Sequence, residues 1–278
     1  LKKIAQYEKI LKSRETMNAV IKEDLQNIRA EFATERHTKI EDGKDAVVEE
    51  IAPVVQEVVF IMDRFGYCKT IDRSTYDRNQ ETIENDYKYV IPCLSSDKLC
   101  IFTNTGSLHQ TKLSDLPYGK MRDKGVPIDN VSKYDGSKEE IVFLTVSGRM
   151  TGQLLLFATK MGMLKQVPAE EFVTNNRTVA STKLQDGDSL LDVRIVGTEQ
   201  EIVLQSASGM FLRFMMEEIP EMKKNSRGVR GIRLSDKDEL EDLYFVSQDP
   251  VITYRKKEVH LNRLKMAKRD GKGSKVRL

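Results

Sequence analysis

The sequence predicts an all-β domain of propeller type, built from five repeats and preceded by a short α-helical stem. Two observations carry that expectation. A strand–turn–strand unit returns about every 45 to 55 residues along most of the chain. The first 33 residues instead show the three- and four-residue apolar spacing of helices.

The stem comes first. Ile4, Tyr7, Ile10 and Leu11 form one apolar stripe. Ser13 then offers an N-cap hydroxyl, with Glu15 in the first turn of a second helix. Met17, Val20, Ile21, Leu25, Ile28 and Phe32 continue a stripe there, opposite a charged face. Such a stripe reads as core, packed against another helix. Glu41-Asp42-Gly43-Lys44-Asp45 is polar, contains Gly and lacks apolar period, which makes it the linker. The expected division is a stem over 1–42 and a β-domain over 43–278.

Each repeat has an apolar strand, a Gly turn and a second strand carrying a cation. The copies turn at Gly66, Gly106, Gly162 and Gly209, and a weaker fifth begins at Val251. No such unit buries both of its faces alone, so the blades are expected to stack into one closed object. Asp186-Gly187-Asp188 and Asp236-Lys237-Asp238 match each other as turns that carry the chain between blades. The absence of Trp argues against WD-type propellers.

The second half of each repeat returns cations to a like position. In the fourth copy Val229, Ile232 and Leu234 punctuate Arg227, Arg230 and Arg233. Strand alternation turns one set inward and presents the guanidinium groups outward. Arg122-Asp123-Lys124-Gly125-Val126 holds the same place in the second copy; Gly106 to Gly125 and Gly209 to Gly228 are both 19 residues apart. The third copy gives Arg177 and Lys183, the fifth Lys268, Arg269 and Lys272. Repetition of this kind places cations on one rim, where they match the regular anions of a duplex backbone. The bland reading of any single copy is a solvated turn; recurrence favours the rim. The candidate phosphate contacts are Lys69, Lys112, Arg122, Lys124, Lys165, Arg177, Lys183, Arg213, Arg227, Arg230, Arg233, Arg263, Lys268, Arg269 and Lys272.

Composition bounds the rest. Hydrophobic content of 39% supports a core. No apolar run reaches membrane-spanning length, and no membrane partner is expected. The chain opens Leu1-Lys2-Lys3-Ile4, with no signal pattern and no Met, so a fragment of a longer chain is expected. Cys68, Cys93 and Cys100 lack metal-ligand spacing and read as small apolar strand residues in a reducing cytosol. Net charge is only +2, yet residues 250–278 hold ten Lys and Arg against Glu258 and Asp270. That asymmetry points to a polyanionic partner. His37, His109 and His260 lie far apart, and no phosphate-binding Gly-Lys-Ser loop appears. No catalytic constellation, metal site or cofactor is expected in this chain.

Gly228-Val229-Arg230-Gly231-Ile232-Arg233-Leu234, with Gly209 before it and Asp236 and Asp238 after it, resembles a blade of a known family. That family is the C-terminal domain of the A subunit of bacterial type IIA topoisomerases, DNA gyrase and topoisomerase IV. Leu113-Ser114-Asp115-Leu116-Pro117, followed by Lys124-Gly125-Val126-Pro127-Ile128, resembles the end of another blade. Tyr7-Glu8-Lys9-Ile10-Leu11-Lys12-Ser13 and Arg36-His37-Thr38-Lys39-Ile40 resemble the returning arm helix and the exit from the cleavage core. The resemblance implies a β-pinwheel whose blades exchange strands. It implies a basic perimeter that binds and bends double-stranded DNA in the cytoplasm, near the nucleoid. It implies a B-subunit partner and an A-subunit dimer. ATP, Mg and the catalytic tyrosine then lie elsewhere in an ATP-dependent isomerase, and this stretch holds no catalytic residue.

Two departures from the pattern bear on activity. Gyrases carry a Gln-basic-basic-Gly-Gly-basic-Gly box in the first blade; here the matching place reads Tyr76-Asp77-Arg78-Asn79-Gln80-Glu81-Thr82-Ile83-Glu84-Asn85-Asp86. Lys268-Arg269-Asp270-Gly271-Lys272-Gly273 has some of the box's chemistry, with Asp for one Gly. The repeat count is five, with six as the gyrase-like alternative. Both departures favour topoisomerase IV, which decatenates and relaxes, over a gyrase with a degenerate box. A protein-docking propeller without nucleic acid is the remaining rival.

Overall fold

A computed structural model describes residues 2–34, 38 and 55–276. The chain divides into two compact units, Leu1–Pro53 and Val54–Leu278. The expected linker at 41–45 and the boundary at 42/43 lie outside the described residues, as does His37.

The first unit contains α1 (Lys2–Lys12) and α2 (Arg14–Phe32). Ser13 caps α2 as its hydroxyl position predicts: Oγ accepts from the Thr16 amide at 3.4 Å. The apolar stripe is not core. Neither helix has a buried residue, and Tyr7, Leu11, Leu25 and Phe32 are exposed. Helical spacing identifies a face fit for packing and is silent on what packs there.

The second unit begins with β1 (Glu57–Met62) and β2 (Tyr67–Asp72), then α3 (Arg73–Arg78), α4 (Gln80–Asp86) and β3 (Tyr89–Leu94). Next come β4 (Lys98–Thr103), β5 (Ser107–Lys112), β6 (Val126–Pro127) and β7 (Ile141–Val146). The third repeat supplies β8 (Leu154–Thr159), β9 (Met163–Pro168), β10 (Thr178–Ala180) and β11 (Leu190–Val196). The fourth supplies β12 (Glu201–Ser206), β13 (Met210–Met215), β14 (Val229–Arg230) and β15 (Leu240–Phe245). The last supplies β16 (Val251–Tyr254), β17 (Lys257–His260) and β18 (Ser274–Lys275).

Among the described residues, four antiparallel sheets result, ordered β3-β1-β2-β6, β7-β4-β5-β10, β11-β8-β9-β14 and β15-β12-β13-β18, with β16-β17 as a two-stranded fifth. A sequence repeat is therefore not a blade. The Gly hairpin and the strand that closes the repeat stay together, but the short strand between them joins the preceding sheet. Thus β6 of the second repeat pairs with β2, β10 with β5, β14 with β9 and β18 with β13. Packing between β3 and β7, β7 and β11, and β11 and β15 makes these the inner strands. The lent strands β6, β10, β14 and β18 then form the outer perimeter. The Asp turns serve the return path: Asp188 accepts from the Met161 amide at 3.0 Å, and Asp238 from the Ser208 amide at 3.0 Å, each beside its own hairpin.

The core is a series of layers between blades. Phe60, Met62, Leu99, Ile101 and Val146 fill the first layer, Phe102, Phe157 and Phe172 the second, and Leu156, Leu204, Phe214 and Phe245 the third. Hairpin strands of the four-stranded sheets are apolar on both faces because those sheets are covered on both sides. The first blade departs from the expected closed object. Val59, Ile61 and Ile71 on its far face pack against Tyr76 and Ile83 of α3 and α4. Those helices stand between β2 and β3, where every later repeat has its lent strand. The first repeat covers its own blade instead of lending to another.

A buried ammonium holds each of two lent segments. Lys69 Nζ donates to the carbonyls of Lys120 at 2.8 Å and Met121 at 3.1 Å, and to that of Asp123. Lys165 Nζ donates to the carbonyls of Lys224 at 2.6 Å and Ser226 at 3.0 Å. Beside them, Gly125 and Gly228 have φ of +79° and +87°, and a Cβ on either would lie 2.5 Å from the carbonyl oxygen of Cys68 or Leu164. Only glycine permits that approach and that dihedral together.

Burial lowers the Lys165 ammonium from its ordinary 10.5 to about 8, against a smaller opposing pull from Glu171. The folded chain thus releases this proton more readily than the unfolded one, so its contribution to stability rises with pH between about 8 and 10.5. Lys165→Met should cost about 2 kcal/mol by orphaning two carbonyls. Chemical denaturation from neutral pH upward should show the gap from wild type widening across that window.

Candidate nucleic-acid interface

The perimeter strands position most of the predicted cations. Arg122 and Lys124 precede β6, Arg177 precedes β10, Arg227 precedes β14 and Arg230 lies within it, and Lys268, Arg269 and Lys272 precede β18. Lys183 and Arg233 follow the lent strands β10 and β14. Lys112 ends β5, beside the polar cleft of about 500 Å³ that Arg177, Asn175 and Asn176 also line. Arg263 lies in the 3-10 turn after β17. Lys112, Arg122, Lys124, Arg177, Lys183, Arg227, Arg230, Arg233, Arg263, Lys268 and Lys272 are all exposed.

Their local geometry differs. Lys124 Nζ sits 4.1 Å from the centre of the Tyr67 ring, which orients it on the perimeter. Among the described residues, Arg122, Arg177 and Arg227 make no ion pair. Arg230 and Arg233 both face Asp270, at 3.5 and 3.2 Å. Arg269 is half-buried and spends its guanidinium on the carbonyls of Glu218 at 2.9 Å and Arg230 at 2.7 Å.

Three candidates are corrected. Lys69 and Lys165 are each 1% exposed and hold backbone carbonyls, so neither reaches a ligand. Arg213 turns inward: it pairs with Glu201 at 2.5 Å, and its Nη1 donates to the carbonyls of Asn262 at 2.6 Å and Leu264 at 2.9 Å. The cation of the second strand is a fastener between repeats. In the second blade His109 takes the place of the lysine, buried between Thr178 Oγ1 of the lent strand at 3.0 Å and Glu139 at 2.8 Å. Lys275, absent from the sequence-based candidates, is exposed within β18 itself. Its position two residues beyond Gly273, matching Arg230 after Gly228, is the signal that marks it.

Similarity to known proteins accords with this arrangement. The family described as DNA gyrase C-terminal domain, beta-propeller, matches residues 153–197 and 200–247, the third and fourth repeats. The third and fourth repeats belong to the family of DNA gyrase C-terminal domains. The DNA gyrase A subunit of Lawsonia intracellularis is 30% identical over 251 residues, covering 86% of this chain and 30% of that protein. The DNA gyrase A subunit of Staphylococcus aureus is 25% identical over 294 residues, covering 98% of this chain and 33% of its own length. The chain thus spans about a third of the length of these relatives. In fold it is similar to the C-terminal domain of DNA topoisomerase IV, with a TM-score of 0.70 at 20% identity, over 80% of this chain and 72% of that one. The DNA gyrase A C-terminal domain gives 0.53 at 17% identity, over 78% and 76%. No described helix is long and apolar enough to cross a membrane.

The cysteines sit in strands, as expected of small apolar residues. Burial pushes the thiols of Cys68 and Cys100 up to about 12 and that of Cys93 to about 11. At pH 8 the folded chain should therefore react slowly with a thiol reagent, and all three thiols should become titratable in denaturant.

Proposed function

We propose that the β-domain binds and bends duplex DNA for a type IIA topoisomerase, through phosphate contacts made by the perimeter cations. The observation that carries this reading is the recurrence of Lys or Arg at the four lent strands, which sit at equivalent places on successive blades. Phosphates along a duplex are evenly spaced anions, and a curved row of cations neutralises several at once. Bending a short duplex costs about 1–6 kcal/mol, which several such contacts offset and one does not. The B subunit, the A-subunit dimer, ATP and Mg belong to the complete cytoplasmic enzyme, whose strand passage this domain would serve.

Within that class we assign the chain to a decatenating and relaxing enzyme of topoisomerase IV type. Support comes from α3 and α4, which fill the box position of the first repeat and cover the far face of its blade. A duplex is then held along an arc, without a full wrap. The gyrase reading is favoured by the names of the sequence relatives. Reconstituted with its B subunit, the complete enzyme should decatenate linked circles and leave relaxed plasmid without negative supercoils; ATP-dependent negative supercoiling would transfer it to gyrase.

Combined Ala substitution of Arg122, Arg177 and Arg227 should weaken duplex binding and reduce the salt dependence of log K by up to about 0.9 for each phosphate no longer neutralised. Fluorescence anisotropy across a salt series reads both quantities. An unchanged slope removes these residues from the interface, and absence of binding by the intact chain at low salt favours the protein-docking rival.

A further inference from the structure

The seam between the third and fourth blades carries a carboxylate between two of the perimeter cations. There the segment leading to β18 runs beside the end of β14. The Asp270 amide donates to the Gly231 carbonyl at 2.8 Å, and the Arg233 amide to the Gly271 carbonyl at 2.8 Å. This pairing sets Asp270 between two guanidinium groups. Its Oδ1 lies 3.5 Å from Arg230 Nη1 and its Oδ2 lies 3.2 Å from Arg233 Nη2. Both arginines stay more than half exposed, at 55% and 53% of their side-chain surface. Lys268 and Lys272 flank the same turn.

The pairing is incomplete. Asp270 Oδ1 is shielded from solvent yet makes no hydrogen bond, because 3.5 Å exceeds the usual span of a charge-assisted bond. A guanidinium has five N–H donors, and the carboxylate engages few of those that Arg230 and Arg233 offer. A tetrahedral phosphate oxyanion can accept more of them. The carboxylate's own pKa lies below its ordinary value, chiefly through its hydrogen bond from Arg233, with Arg230 and Arg269 adding to the effect. Asp270 therefore keeps its charge at neutral pH. The backbone at Asp270 has φ of +64°, a conformation that Asn and Gly adopt as readily.

We propose that Asp270 is an internal competitor for phosphate: its carboxylate occupies the anion position between Arg230 and Arg233 and lowers the affinity of this arc for duplex DNA. The inference rests on the DNA-binding reading given above and adds to it a residue that tunes affinity against, not for, the ligand. A duplex seated here displaces the carboxylate from both guanidiniums and leaves one negative charge beside its own phosphates. Neutralising Asp270 removes that opposition and frees two cations.

The test uses the whole 278-residue chain and a labelled linear duplex, followed by anisotropy between about 50 and 200 mM salt. Asp270→Asn, which preserves shape and backbone preference, should bind about three- to tenfold more tightly at the low-salt end. Its salt slope should steepen by about 0.9 for each phosphate gained. Asp270→Gly should do the same, which guards against a side-chain artefact. Glu217→Gln, at an exposed acid that forms no ion pair with Arg230 or Arg233, controls for net charge and should change affinity less. In an Arg230→Ala, Arg233→Ala background, Asp270→Asn should bring no gain. Equal affinity and slope for wild type and Asp270→Asn, with both binding, overturns the competitor and leaves the DNA reading standing. A gain matched by Glu217→Gln, or retained without the two arginines, overturns it likewise. Failure of both wild type and Asp270→Asn to bind overturns the DNA reading and the competitor together, whereas binding by the variant alone supports the competitor.

Discussion

Everything in the β-domain depends on the short strands that the second to fifth repeats each lend to the blade before them. Only two or three residues pair in each lent strand, so the segment around it arrives with backbone carbonyls that no ladder satisfies. Buried carbonyls require donors. A lysine side chain rooted in the neighbouring strand is long enough to reach several of them and brings three donors on one atom. Its burial is tolerable because those carbonyls replace the water it loses, as the close contacts of Lys69 and Lys165 show. The fastening persists while the residue type, and in one blade the position, changes. His109 fills the same place by joining a threonine on the lent strand to a glutamate on its other side. In the fourth blade Leu212 stands there, and Arg213, one residue further on, takes over the carbonyl contacts.

This arrangement explains why some features were legible in the sequence and others were not. The hairpins were legible, because an apolar strand, a Gly turn and a second strand are local. The N-cap at Ser13 was legible for the same reason. The destination of the short strand was not, because pairing of Val229 with Leu164 is a long-range fact that no local signal encodes. Misreading followed from that gap. Lys69 and Lys165 share residue type and repetition with the exposed cations. Alternation failed to separate them, since strands covered on both faces give no solvent side to mark. Gly125 and Gly228 mark a repeated place in the sequence, 19 residues after Gly106 and Gly209, but the carbonyl that each backs onto belongs to a different repeat. The apolar stripe of α2 is the reverse case, a legible face whose partner the sequence leaves unnamed.

The same logic links strand exchange to function. The lent strand completes each four-stranded sheet, and it is also the outermost backbone of that blade. Residues beside it are therefore exposed on one perimeter and repeat with the blade. Cations placed there form a row without any further device, whereas cations in the hairpin strands are consumed by the fold. Selection for phosphate binding can then act on the loops before β6, β10, β14 and β18 with little cost to packing, because those side chains contribute little to the apolar layers.

The two ends of the β-domain differ in charge, and on the DNA-binding reading proposed above that difference favours an arc over a full turn. At one end, α3 and α4 present Asp77, Glu81, Glu84 and Asp86 to solvent, with Arg73 already paired to Asp77 at 2.9 Å. At the other, residues 250–278 hold ten Lys and Arg against two acids and supply both the last hairpin and the strand lent to the fourth blade. A duplex following the perimeter would, on that reading, gain counterion release at the lent strands and meet the carboxylates of α3 and α4 at the far face of the first blade. The elastic cost of bending grows with the length of DNA bent, so the favourable arc ends where new contacts no longer offset it. On that reading the helices at the first blade end the arc, because they cover its far face and expose carboxylates there.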